Sequence, residues 1–428
     1  MQGFQSVVLP LSVLGLAVGG ADRLHSQGRG GGKEERIRTL EERVGRLEKS
    51  EGSSPSILRV LWKDGLRFES PDRKVRLRLG GRIQNDWAWM TEDAGVRAKA
   101  GPQVDGTEFR RARLYLSGKL PGKVFFKTQF DFAGGDADFK DVYLGMEGIP
   151  FVGRVQVGHF KEPFSLEELT SSKYITFLER GLPNVFAPGR NTGIAAHDQV
   201  LSGRMTWAAG IFRPTGSFGD GQGEGESAVT ARVTGLPWFE EGGKRLLHLG
   251  FGVSVRNPSG GILRYRQRPE VHLASRLVDT GTLAVDRAEL YSLEGALVLG
   301  PFSVQSEYIR SEVKGAGDPG FSGIYGSAGF FFTGEHRPYK TSKGVFGHVK
   351  PRKSFGEGGG LGAWEAALRY SDLDLQDGSV AGGRLSSLSL GLNWYLNPNT
   401  RLMFNYVLAD LEGAGDFEAL AVRFQVHF

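Results

Sequence analysis

The chain has 428 residues with a formal charge of +5, 64 glycines, no cysteine, 11% aromatic and 39% hydrophobic residues. No run of roughly 18 apolar residues lies beyond the extreme N-terminus, which excludes a helical membrane protein. The absence of cysteine excludes a disulfide scaffold and thiolate metal sites. Basic residues fall at strand spacing within apolar alternation, not in helical or disordered clusters, so the charge suits a pore for small anions better than a nucleic-acid surface.

Residues 7–18 (VVLPLSVLGLAV) form a short apolar run followed by Gly19, Gly20 and Ala21. Residues 1–21 therefore read as a secretory signal, although no Lys or Arg precedes the run. Residues 22–56 turn to Gly, Lys, Arg and Glu, with Ile37, Leu40, Val44 and Leu47 at heptad spacing. Two heptads are too short for a stable coiled coil alone, so the segment reads either as a charged linker with some helicity or as an oligomerising stub.

Residues 57–428 carry strand patterns. In VRLRLGGRIQNDWAW at 75–89, apolar Val75, Leu77, Leu79, Ile83, Trp87 and Trp89 alternate with Arg76, Arg78, Arg82, Gln84 and Asp86. One face is greasy and the other arginine-rich, as in an all-β transmembrane barrel with lipid outside and a cationic aqueous channel inside. Arg111, Arg113, Tyr115 and Lys119 share a face of the next strand, on which Arg110 and Arg111 both point inward only through a strand end or a bulge. Lys127, Gln129 and Asp131 oppose Thr128, Phe130 and Phe132.

The segment 161–191 loses the period-two pattern. Ser165 followed by Glu168 predicts a capping box and a short helix through about Ser171, after which Pro183, Pro188 and Gly189 forbid regular structure. A connection of that length is expected to fold inward and narrow the lumen, the other reading being an external lid. The glycine-rich stretches 219–226, 315–326 and 356–362 read as exposed loops. In ILRYRQRP, Arg264, Arg266 and Arg268 oppose Leu263 and Tyr265 as further rungs of a ladder.

Near the end, Leu388, Leu390, Leu392 and Trp394 lead through a turn at Asn397, Pro398 and Asn399 into Leu402, Phe404, Tyr406 and Leu408. The strand at 420–428 closes the sheet, because an open edge in hydrocarbon would leave backbone groups unpaired. Sixteen strands over 57–428 gives about 23 residues per strand and connection, a spacing that suits a water-filled porin. No catalytic constellation or cofactor motif stands out, and His336 and His348 come nearest to a cluster.

The stretches GGRIQND, EFRRARLYLSG, FKTQFDFAGG, FKDVYLG, GHFKEPFSLEELTSSKYITFLERGLP, PGRNTGI, TGEHRPYK and GLNWYLNPNTRLMFNYV, spread from about 77 to 428, resemble the phosphate-selective porin O and P family. The resemblance implies a trimeric, 16-stranded barrel in the outer membrane of a Gram-negative-type bacterium, with an inward third loop, passing phosphate or polyphosphate. It implies that Arg82, Arg110, Arg111 and Lys173 form the constriction. Lys127 would be a vestibule lysine, Asp141 the acid that limits over-binding, and Arg264, Arg266 and Arg268 part of the ladder. Phe428 would be offered to the barrel-assembly machinery. The other readings are a general porin with mild anion preference, a porin for another solute, a non-conducting barrel and an outer-membrane enzyme.

Overall fold

The computed structural model describes residues 58–428 apart from residue 64, together with residues 38, 39, 41 and 42. The secretory-signal reading of 1–21 and the heptad positions Ile37, Leu40, Val44 and Leu47 lie outside the described residues.

Among the described residues, sixteen antiparallel strands close into a barrel. The first eight are β1 (Arg76–Glu92), β2 (Gly106–Leu120), β3 (Val124–Asp131), β4 (Val142–Ile149), β5 (Gly153–Lys161), β6 (Arg190–Val200), β7 (Met205–Arg213) and β8 (Ser227–Glu240). The second eight are β9 (Arg245–Asn257), β10 (Arg287–Leu299), β11 (Phe302–Lys314), β12 (Gly320–Phe331), β13 (Ala363–Asp377), β14 (Val380–Asn397), β15 (Thr400–Leu411) and β16 (Gly415–His427). Each pairs with its neighbours in sequence, and β16 pairs with β1 from Phe417 opposite Glu92 to His427 opposite Arg82. Closure leaves no edge to be solvated.

The alternation read at 75–89 and 420–428 is realised. Ile83, Trp87, Trp89, Leu420 and Phe424 are exposed on the outer face, while Arg82, Gln84, Asp86, Arg423 and Gln425 are buried inside. Trp364 and Trp394 stack at 5.0 Å on adjacent outward positions, an aromatic pair of the kind that marks a membrane interface. The barrel wall begins at Arg76. Ahead of it, a hairpin of Arg59–Trp62 and Leu66–Glu69 pairs with Arg76–Leu79, the part of β1 that β16 does not reach.

The loop expected at 315–326 is corrected. Only the first part of 315–326 is a turn; Gly320–Phe331 is β12, with Phe321, Gly323 and Tyr325 facing inward. Its glycines masked the alternation, and Gly323 is needed there because a Cβ would stand 3.0 Å from the Pro183 ring of the inward loop.

Long connections leave one rim, at 162–189 and 258–286, whereas the other rim carries short turns except for 332–362. That segment also packs inside, with Val345 and Phe346 buried against Leu166 of the inward loop.

Candidate functional site

The lumen is built around the connection 162–189, which leaves β5, crosses the interior and returns to β6. Its helix, Leu166–Leu169, starts where the capping box predicts: Ser165 Oγ accepts from the Glu168 N–H at 3.1 Å. The next orphan donors reach the wall, since the Glu307 carboxylate on β11 accepts from the Leu166 and Glu167 N–H groups at 2.9 and 2.8 Å.

Beyond the helix the loop carbonyls lack a regular ladder and must find partners elsewhere. Arginines and an asparagine of the wall supply them. Arg401 donates to Ile175 O at 2.9 Å, Asn393 to Thr176 O at 2.9 Å, Arg423 to Leu178 O, and Arg369 to Glu179 O at 3.0 Å. All three arginines are almost fully buried. Arg423 also forms two 2.6 Å bonds to the Asp86 carboxylate, and Arg369 bonds Glu270 Oε2 at 2.5 and 3.1 Å. These residues fasten the loop to β13, β14, β15 and β16. Charge-assisted bonds of this kind are about twice as strong as neutral ones.

On the opposite side a cavity of about 350 Å³ remains, lined by strands β1 to β8, the inward loop and the segment 332–362. Its basic lining comprises Arg82, Arg111, Arg113, Lys127, Lys161, Arg180, Arg190, Arg232, Lys340 and Lys343, against only Asp141, Glu168 and Asp198 as acids. Arg82 donates to Ser172 Oγ at 2.5 Å, a loop hydroxyl. Asp141, beside the start of β4, joins Lys127 and accepts from Arg190 at 2.7 Å. Lys127 and Lys173 lie 5.4 and 5.9 Å from the centroid of the Tyr115 ring, whose π-face offsets part of their mutual repulsion.

The predicted residues divide into three groups. Arg82, Arg111, Lys127 and Asp141 line the cavity, and Lys173 stands beside it on the loop. Arg110 is inward through a bulge, one of the two routes open to it, Gln84 pairing with Arg111 and Asn85 with Phe109. Its guanidinium is nonetheless occupied by the Glu179 carboxylate at 2.9 and 3.0 Å and does not line the cavity.

Arg264, Arg266 and Arg268 depart from the ladder reading, because they lie on no barrel strand. They belong to the 258–286 connection, where the polypeptide forms only two-residue pairings, and Arg264 is held by Asp279 at 2.8 and 2.5 Å. Alternation was real over a few residues there, but Pro258, Gly260 and Gly261 had already ended β9.

Sequence reading missed Arg369, Arg401 and Glu270 as organisers of the lumen. Arg369 sits on the inward parity of β13, and that was its available signal; Glu270 had none, being a loop residue.

Lys173 lies on the connection, outside the strands. Burial, with Arg82, Arg78 and Lys127 close by, pulls its ammonium down to about 7. It is charged below that pH and neutral above it, so the anion preference read from the zero-current potential in a KCl gradient is expected to fall between about pH 6 and about pH 8. Lys173→Arg keeps its charge throughout and is expected to flatten the profile. An equally steep fall in that variant would assign the titration to another group.

Comparison with known proteins agrees with this geometry. The family model described as phosphate-selective porin O and P matches residues 77–428. Porin O of Pseudomonas aeruginosa is 26% identical over 86% of this chain and 91% of its own length. An uncharacterized protein of Caulobacter vibrioides is 30% identical over 83% of this chain and 72% of its own. Among solved structures, the anion-selective porin from Comamonas acidovorans aligns with a TM-score of 0.51 at 14% identity, covering 83% of this chain and all of that one, which supports the barrel fold. The chain belongs to the phosphate-selective porin O and P family and is a protein of the Gram-negative bacterial outer membrane.

Proposed function

We propose that the chain is a passive anion porin that favours inorganic phosphate or polyphosphate and carries out no covalent step. The observation that carries this reading is the excess of basic over acidic side chains around the one side of the lumen that the inward loop leaves open. Guanidinium forks and ammonium groups replace part of the hydration of a phosphate oxygen, and several moderate sites allow release where one deep site would trap the ion.

In this reading Arg264, Arg266 and Arg268 gather anions at the outer mouth. Arg82, Arg111 and Lys173 bind them at the constriction. Lys127 shares the ion with the Asp141–Arg190 pair, whose carboxylate limits over-binding, while Arg110 acts through Glu179 to hold the loop. A homotrimer belongs to the same proposal.

A milder reading has its own observation. Arg232, Arg369 and Arg423 are locked in carboxylate pairs with Glu294, Glu270 and Asp86, which removes them as ladder rungs and favours a general anion porin. Planar-bilayer recording separates the two. The phosphate reading expects steady open channels with an anion-selective reversal potential, and half-block of chloride current by phosphate below about 1 mM, corresponding to binding of about 4 kcal/mol. Chloride current untouched by phosphate would leave only the general porin, and an absence of open conductance would sink both.

A further inference from the structure

A second, much smaller chamber lies on the short-turn side of the constriction, lined among others by Lys173, Tyr174, His348, Tyr395, Arg401 and His427. It is assembled from four separate parts of the chain. His427 ends β16, Arg401 begins β15, Lys173 and Tyr174 come from the inward loop, and His348 comes from the segment 332–362. The Tyr174 and His348 rings stack at 5.3 Å, and His427 stands edge-on to both at 5.9 and 4.9 Å.

Three buried polar atoms here lack a partner, although the Arg401 terminal nitrogens are bonded to Ile175 O, Tyr395 OH and Gln425. Neither ring nitrogen of His427 nor Arg401 Nε has a partner among the described residues, although His427 is 5% and Arg401 2% exposed. Buried polar atoms are almost always satisfied, so two donors, Arg401 Nε and whichever His427 nitrogen carries the proton, point to an occupant. No carboxylate lines the chamber. Lys173 and Arg401 face it directly, and Arg82 stands opposite His427 in the β1–β16 register. The Glu365 carboxylate answers Arg401 only through the Tyr395 hydroxyl, at 2.8 and 3.2 Å, so a water molecule would satisfy hydrogen bonds but add no counter-charge inside the chamber; an anion does both.

Size then decides which anion. The centre of a water-sized sphere has about 10 Å³ in which to move, room for one small particle. Phosphate, with five heavy atoms, does not fit, whereas a single-atom anion does. We infer that this chamber is a resident halide site, chloride in the cell, held by His427 and Arg401 beside Lys173 and distinct from the larger cavity through which permeant anions pass. The bound ion is a fixed counter-charge that lets the basic groups of the loop and wall stand close together. This goes beyond the transport proposal and does not depend on which anion is conducted.

The test is crystallographic, on the full chain in sodium bromide with excess phosphate, using anomalous scattering at the bromine edge. One bromide peak is expected within hydrogen-bonding distance of a His427 ring nitrogen and Arg401 Nε, persisting in phosphate because phosphate cannot enter. His427→Phe, examined the same way, is expected to lose that peak. Bromide in the large cavity with none in the chamber overturns the inference while leaving anion conduction intact, and so does a non-anomalous water in its place. The wild-type crystal decides this even if the variant fails to fold. A peak that survives in a folded His427→Phe variant also overturns it.

Discussion

Replacing Arg82 with alanine is expected to raise the phosphate concentration for half-block of chloride current by roughly 10- to 100-fold, the effect of losing one charge-assisted contact. Arg82 combines the features of a binding group more fully than any other predicted residue. It lines the open cavity, it is presented by a regular strand, and its guanidinium donates to the Ser171 and Ser172 hydroxyls and not to a carboxylate that would neutralise it. The loop should stay in place in the variant, since Glu307, Arg369, Arg401 and Arg423 fasten it independently. Conductance in phosphate-free KCl is therefore expected to change far less than the block. Arg110→Ala is the contrasting control, because its guanidinium serves Glu179 and should alter loop order before phosphate affinity. An unchanged half-blocking concentration in Arg82→Ala would remove Arg82 from the binding path.

Glu270→Gln is expected to cost about 3 kcal/mol of stability, seen as a lower heat-unfolding midpoint, and to give noisy, enlarged channel openings. The Glu270 carboxylate accepts from Arg369, from Ser371 and Ser389 at 2.6 and 2.7 Å, and from the Leu182 N–H at 3.2 Å. It thus ties the 258–286 connection both to the wall and to the inward loop. Without its charge, the fully buried Arg369 guanidinium keeps only Glu167 at 3.5 Å as an acidic neighbour. Removing one member of a buried pair is far costlier than removing both, so adding Arg369→Met is expected to recover much of the midpoint while the openings stay noisy. Quiet, wild-type openings in Glu270→Gln would show that the loops are held without this carboxylate.

Period two made the barrel legible, because lipid and water sort side chains on every strand in the same way. At Arg82, Gln84 and Asp86 it separated inside from outside correctly, and at Arg110 it called for a strand end or a bulge, of which the structure has the bulge. The inward loop was legible for the opposite reason: the pattern stops at 162 and a capping box begins at Ser165. Periodicity reports the face a residue occupies and carries nothing about what it meets there. Arg423 was placed on the inner face, yet its partners Asp86 and Leu178 O lie more than two hundred positions away. Arg264, Arg266 and Arg268 show the converse error, since a short extended loop alternates just as a strand does. The entry of 332–362 into the lumen left no local sign, because it depends on contacts such as that of Phe346 with the helix at 166–169.

The open cavity touches β1 to β8 and none of the strands from β9 onward. On the proposed porin reading, a travelling ion runs along a gutter with basic groups of the wall on one side and, on its inner flank, the Ser171 and Ser172 hydroxyls with Glu168 and Arg180 of the loop. It need shed water mainly on one side, so the dehydration barrier is spread over many small exchanges. On the same reading, substitutions that retune permeation are expected to cluster on the β1 to β8 arc of the circumference.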